Sequence, residues 1–128
     1  MKNILLIVSG FILLTAFNTR PVLLTDYRDA YTGTYFCTRL CSSLKTEGGG
    51  RTTKIDTISI IVSKDVKDSI LQINLGQQVL KVRVANKKMR TISSNYRYFA
   101  GTFFAKDSIN FSFIPALSIS YNYIGKRK

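Results

Sequence analysis

Two cysteines, seven carboxylates and no histidine are the reactive side chains of this 128-residue chain, and their types and spacing limit its chemistry. Without histidine the commonest general base, proton shuttle and metal ligand is missing, and Ser-His-Asp or Cys-His arrangements are ruled out. Asp65, Asp68 and Asp107 fall in turn-like segments, and Asp26 and Asp29 precede the first patterned segment. A paired-carboxylate centre would have to be assembled from loops. Cys37 and Cys41 stand in Cys37-Thr38-Arg39-Leu40-Cys41. An exported protein meets oxidising conditions, in which an even pair tends to bridge. An extended strand would hold their Cα atoms about 13 Å apart, well past the roughly 7 Å limit for a disulfide. The pair is therefore expected either to bridge, with the chain curling just after Cys37, or to remain two free thiols on one strand face. Two cysteines do not supply the four ligands of structural zinc. No phosphate loop, dinucleotide fingerprint or calcium loop occurs, so no cofactor or metal is expected and the chain reads as a non-enzyme.

The basic residues carry a second message. Lys81, Arg83, Lys87, Lys88, Arg90 and Arg97 follow one another with no acid between them, and Lys126-Arg127-Lys128 closes the sequence. They form a candidate basic face for an anionic envelope component, or a solvated face whose lysines discourage edge pairing.

The elements that must position these residues begin with an apolar leader. Lys2 precedes the run Ile4 to Leu14, and Thr15-Ala16 follows it, the layout of a secretory signal segment over residues 1–18. The run is short of the ~20 apolar residues that span a bilayer. Leu14-Thr15-Ala16 is similar to a lipobox, but Phe17 stands where the lipid-accepting cysteine would be. The expected product is an exported chain, in the periplasm, at the cell surface or secreted, that touches a membrane only through an uncleaved leader. Loss of Lys2 with the leader leaves 18 basic residues against 7 acidic ones, a net charge of +11. Export makes nucleic acid an unexpected partner.

Residues 19–30 form a polar lead-in, and residues 31–128 suit one domain. Within it, eight short segments alternate apolar with polar residues, the period-2 signature of half-buried strands. They run Tyr31 to Cys41, Lys54 to Ser63, Ile70 to Leu75, Val79 to Ala85, Met89 to Ser93, Tyr98 to Ala105, Ile109 to Ile114, and from Leu117 through Tyr123. Gly48-Gly49-Gly50, Gly76-Gln77 and Asn86-Lys87 mark turns. Lys67-Asp68-Ser69-Ile70 and Lys106-Asp107-Ser108-Ile109 repeat one corner, where Asp and Ser favour tight turns. Strands joined in order by short turns make an antiparallel meander, and about eight of them close into an up-and-down barrel, with an open two-sheet sandwich as the alternative. Aromatics from Tyr96 to Tyr123 would fill such a barrel.

Asp26-Tyr27-Arg28-Asp29-Ala30-Tyr31-Thr32-Gly33-Thr34-Tyr35 at the start of the pattern, and Tyr121-Asn122-Tyr123-Ile124-Gly125-Lys126 at its end, resemble the small lipocalin-like β-barrel envelope proteins of Bacteroidetes, a mostly uncharacterised group. Gly33-Thr34-Tyr35 is similar to the lipocalin Gly-x-Trp element, with tyrosine in the place of tryptophan. The resemblance implies a fold and an address, and carries over no catalytic or ligand residues. A monomeric barrel binding a small apolar ligand is the expectation, with Phe103, Phe111, Ile119 and Tyr121 lining the interior; the alternative is an interaction protein that works through the basic face.

Overall fold

The computed structural model describes residues 25–93, 95–104 and 107–128. The expected signal segment, residues 1–18, therefore lies outside the described residues. A single 3-10 turn, Tyr27–Ala30, leads into eight strands: β1 Gly33–Leu44, β2 Arg51–Lys64, β3 Ile70–Asn74, β4 Val79–Ala85, β5 Lys88–Thr91, β6 Tyr98–Phe104, β7 Ser108–Ala116 and β8 Ile119–Arg127. Every neighbouring pair is antiparallel, and β8 returns to pair with β1 from Tyr35–Arg127 to Ser43–Ile119. The sheet is thus a closed up-and-down barrel, and the open sandwich is set aside.

Turn chemistry explains the meander. Asn86 and Lys87 both have positive φ, which matches a two-residue hairpin turn whose twist suits the strands it joins. Gly76 adopts φ +90° and its N–H donates to Asn74 Oδ1 at 2.8 Å. Pro115, which has no N–H to give a ladder, sits where the β7–β8 register shifts between Phe113 and Ala116.

The inward set follows the alternation. Tyr35, Cys37, Ile60, Val62, Leu71, Ile73, Leu80, Val82, Met89, Phe103, Ile109, Phe111, Phe113 and Tyr123 are all buried in one cluster. Phe111 stacks on Tyr123 at 4.7 Å between centroids, and Phe113 on Tyr121 at 5.3 Å. The middle of the barrel is filled by side chains, as a barrel of this strand number allows. Gly101 faces Phe111, where an added Cβ would come within 2.8 Å of the Phe111 Cβ, so the missing side chain makes room for the ring.

One end is plugged. Tyr31 stacks on Phe103 at 4.5 Å, and its carbonyl accepts from Tyr35 Oη at 2.8 Å. Arg127 Nη1 donates to the carbonyls of Ala30 and Thr32 at 3.0 and 3.1 Å. The buried Arg28 guanidinium donates to the carbonyls of Asp65, Lys67 and Ile70 at 3.0–3.3 Å, tying the 3-10 turn to the β2–β3 corner. The bonds to the Asp65 and Ile70 carbonyls are buried, where an unpaired carbonyl would be costly. Tyr31, expected in the first strand, belongs to this plug instead.

β1 runs unbroken through both cysteines to Leu44, and the thiols are free. The curl that a Cys37–Cys41 bridge requires does not occur, because Thr38 to Ser43 keep their ladder with β2 and β8.

Candidate functional site

The end opposite the plug is open. The connections after β1, β3, β5 and β7 all lie there, and the strands around it have unequal lengths: β1 and β2 extend to Leu44 and Arg51, whereas β3 pairs with β2 only from Ile61 to Lys64. Within this lopsided mouth lies a cavity of about 630 Å³, lined by Arg39, Ile58, Leu75–Gln78, Pro115, Tyr121 and Tyr123.

Period-2 geometry places the lining. Arg39, two residues beyond the buried Cys37, shares its inward parity, and the register sets it directly between Asp56 on β2 and Tyr123 on β8. Arg39 Nε donates to Asp56 Oδ1 at 2.8 Å, and Nη2 donates to Asp56 Oδ2, a two-pronged contact that fixes the guanidinium plane. The carboxylate beside it holds the Arg39 guanidinium more firmly protonated than usual, and the guanidinium in turn holds the Asp56 carboxyl below its ordinary range. Tyr121 and Tyr123 both have their phenols raised, chiefly by burial. They are neutral at physiological pH. The mouth therefore presents an internally compensated ion pair, two neutral phenols, two glutamine amides and an apolar rim, with Phe111 and Phe113 as the floor beneath the tyrosines.

Of the interior residues expected to line a ligand, Tyr121 borders the cavity. Ile119 is half-buried nearer the rim, opposite Ser43. Phe103 and Phe111 are 1% exposed and belong to the packed interior, not to the cavity wall. These rings pack on their neighbours, Phe103 on Tyr31 and Phe111 on Tyr123 and Phe113. Arg39, Ile58, Gln77 and Gln78 were not among the expected residues. A charged residue at an inward position between Cys37 and Cys41 was the available signal.

Burial pushes the Cys37 thiol up to about 11, so it is not an activated nucleophile. Among the described residues no group of three or more Cys, Asp or Glu side chains converges as a metal site would require. The basic residues Lys81, Arg83, Lys87, Lys88, Arg90 and Arg97 are all exposed. β4 and β5 are neighbours, so Arg83 and Arg90 stand directly opposite each other, with Lys88 opposite Ala85. Lys81 instead reaches Asp65 Oδ2 at 2.9 Å, and Arg97 lies in the β5–β6 connection.

The fold and mouth define the class: a closed antiparallel β-barrel with an apolar interior and one open end. Comparison with protein-family models, with curated proteins and with solved structures finds no match.

Proposed function

We propose that the chain is a non-enzymatic, lipocalin-like binding barrel of the cell envelope, exported by its leader, that takes a small, largely apolar ligand at the open mouth. The carrying observation is the cavity of about 630 Å³ above the aromatic floor, a volume within the range of small-molecule sites. Its lining sets apolar contact from Ile58, Leu75, Pro115 and the faces of Tyr121 and Tyr123 beside the polar groups of Arg39, Gln77, Gln78 and the two phenols, which make up the larger part of the exposed wall. The apolar residues would hold the body of the ligand and the polar groups would orient its polar end. The Arg39–Asp56 pair is already neutralised, so the polar end of the ligand is uncharged and reads the Gln77 and Gln78 amides. The packed depth supports a guest seated at the mouth rather than inside.

Two further observations support the reading. The Gly33-Thr34-Tyr35 element is built into the plug: Arg127 lies so close to Gly33 that a Cβ there would meet its Cδ at 2.8 Å, and Tyr35 is fully buried. The apolar-in arrangement is the reverse of a lipid-facing barrel.

The test is titration of the full chain with the neutral fluorescent probe N-phenyl-1-naphthylamine. Saturable binding that weakens at least tenfold in Tyr121→Ala and in Ile58→Asn is expected. Equal affinity for parent and both variants would refute the mouth as the site.

A further inference from the structure

The outer wall of β4 and β5 carries a pair of arginines that the fold does not use. Arg83 and Arg90 are cross-strand partners on the solvent side, and like charges directly opposite each other weaken a sheet. Among the described residues neither side chain makes an ion pair or a hydrogen bond. Four of the seven carboxylates are engaged elsewhere: Asp26 with Arg28, Asp29 with Lys64, Asp56 with Arg39 and Asp65 with Lys81. Lys88 is the next outward residue along β5, and Lys87 occupies the adjoining turn. The local charge is therefore strongly positive and uncompensated.

The same place is concave. β5 pairs with β6 at Lys88–Thr102 and Met89–Gly101, whereas Tyr98 to Ala100 of β6 pair with β7 alone. Beyond Met89 the two strands part. Beside this edge, on the outer face of β4 and β5, lies a groove of about 440 Å³ bordered by Arg83, Ala85, Arg90, Thr91 and Ile92. Ala85 and Ile92 give it an apolar side, and the two guanidinium forks give it donors.

We propose that this groove binds a phosphoryl group, held between the forks of Arg83 and Arg90. A tetrahedral dianion relieves the like-charge opposition and accepts paired N–H bonds from each planar guanidinium, which a lysine pair supplies only as point charges. The site lies on the outer wall and is separate from the mouth, so it stands whether or not the mouth reading does. The phosphoryl group comes either from a soluble phosphate or from the headgroup of an anionic lipid, and the two sources share this chemistry.

The experiment is an amide-resonance titration of the full chain with inorganic phosphate at low ionic strength, repeated on Arg83→Gln/Arg90→Gln and on a charge-matched control, Lys126→Gln/Lys128→Gln. Saturable shifts at 83–85 and 88–92, an affinity at least tenfold weaker in the arginine variant and less than twofold weaker in the control, are expected. The melting temperature of the arginine variant should equal or exceed that of the parent, since a repulsive pair is removed. Sedimentation with phosphatidic acid vesicles then separates the sources: release of the arginine variant alone identifies the lipid headgroup, and equal sedimentation of all three proteins identifies the soluble anion. An equal loss of phosphate affinity in both variants, non-saturating shifts, or a lower melting temperature on removing the arginines would overturn the proposal.

Discussion

Gly125 offers the sharpest test of how β8 is seated, and with it of how Tyr121 and Tyr123 reach the mouth. It faces Cys37 across the β1–β8 ladder, and a Cβ built on it would lie 2.2 Å from Cys37 Sγ, 2.6 Å from the Phe36 carbonyl oxygen and 3.0 Å from Cys37 Cα. Ordinary contact between such heavy atoms is about 3.5–4.0 Å, so a methyl group overlaps its surroundings by more than about 1 Å. The sulfur sits on a rotatable bond, but the carbonyl belongs to a paired strand. Relief requires β8 to move away from β1. Overpacking in a tight core costs about 1–3 kcal/mol, and a clash with backbone belongs at the upper end. At about 3 kcal/mol, Gly125→Ala lowers the melting temperature by roughly 12–24 °C in a domain of this size. Adding Cys37→Ala removes the sulfur overlap and leaves the carbonyl one, so the double variant recovers part of the loss, with a coupling of about 1 kcal/mol. Thermal unfolding followed by circular dichroism measures all three variants, and the naphthylamine probe reports whether the mouth tyrosines have shifted. A Gly125→Ala protein within about 0.5 kcal/mol of the parent, or a double variant no more stable than Gly125→Ala, would refute the packing argument.

Hollowing the interior makes a different prediction: Phe111→Ala, at a site 1% exposed, costs about 3–5 kcal/mol in thermal or urea unfolding and opens a dry cavity that enhances uptake of the apolar probe. Intact mass under non-reducing conditions, before and after alkylation, should count two thiols, with Cys41 modified well before the buried Cys37; a mass two hydrogens lighter would contradict the continuous β1 strand. Acid unfolding should follow the carboxylates. Asp26 is held at about 2, first by the Arg28 guanidinium hydrogen bonds, below its unfolded value of roughly 3.9, so its contribution is complete above about pH 4 and is lost as pH falls toward 2. Asp65, held low by the Lys67 N–H, Gln72 and Lys81, acts in the same direction. Asp26→Asn should flatten the loss of stability between pH 4 and pH 2, and an unchanged acid transition would count against the assignment.

The strands were legible because their alternation is regular. Leu80, Val82 and Val84 against Lys81 and Arg83 left no doubt about β4, and the structure buries the first three and exposes the others. Ile61, the one break in the alternation of β2, is an exposed outward residue, so the period held and the residue type did not. Ends were harder to read. β1 reaches Leu44 and β2 begins at Arg51, since two long strands can pair beyond the barrel with each other even where polar residues supply no pattern. The plug was read as a polar lead-in because Tyr27–Ala30 is a single turn, too short for periodicity; its local signal was Asp26, which caps the turn by accepting from Arg28 N–H. The candidate site was less legible. Tyr121 was found from alternation, but Gln77 and Gln78 reach the mouth only because the β3–β4 turn lies beside it, a relation set by strand closure. Phe103 and Phe111 were placed inside correctly, yet whether an inward aromatic lines a space or fills it depends on its cross-barrel neighbours.

Those neighbours also explain why the proposed ligand site lies at the rim. The Tyr31 and Arg127 plug shuts one end, and the Phe111, Phe113, Tyr121 and Tyr123 stack fills the middle. Beyond them the inward positions of β1 and β2 include Arg39, Cys41, Asp56 and Lys54, above the level where β3 stops pairing with β2. Charged side chains tolerate an inward direction only where water or a partner reaches them. Arg39 and Asp56 meet that condition by pairing, each about 29% exposed, which fixes the depth at which the apolar interior ends and the mouth begins. A ligand seated there would gain apolar contact from the tyrosine faces without displacing the core, and by binding the folded barrel alone it would raise its stability.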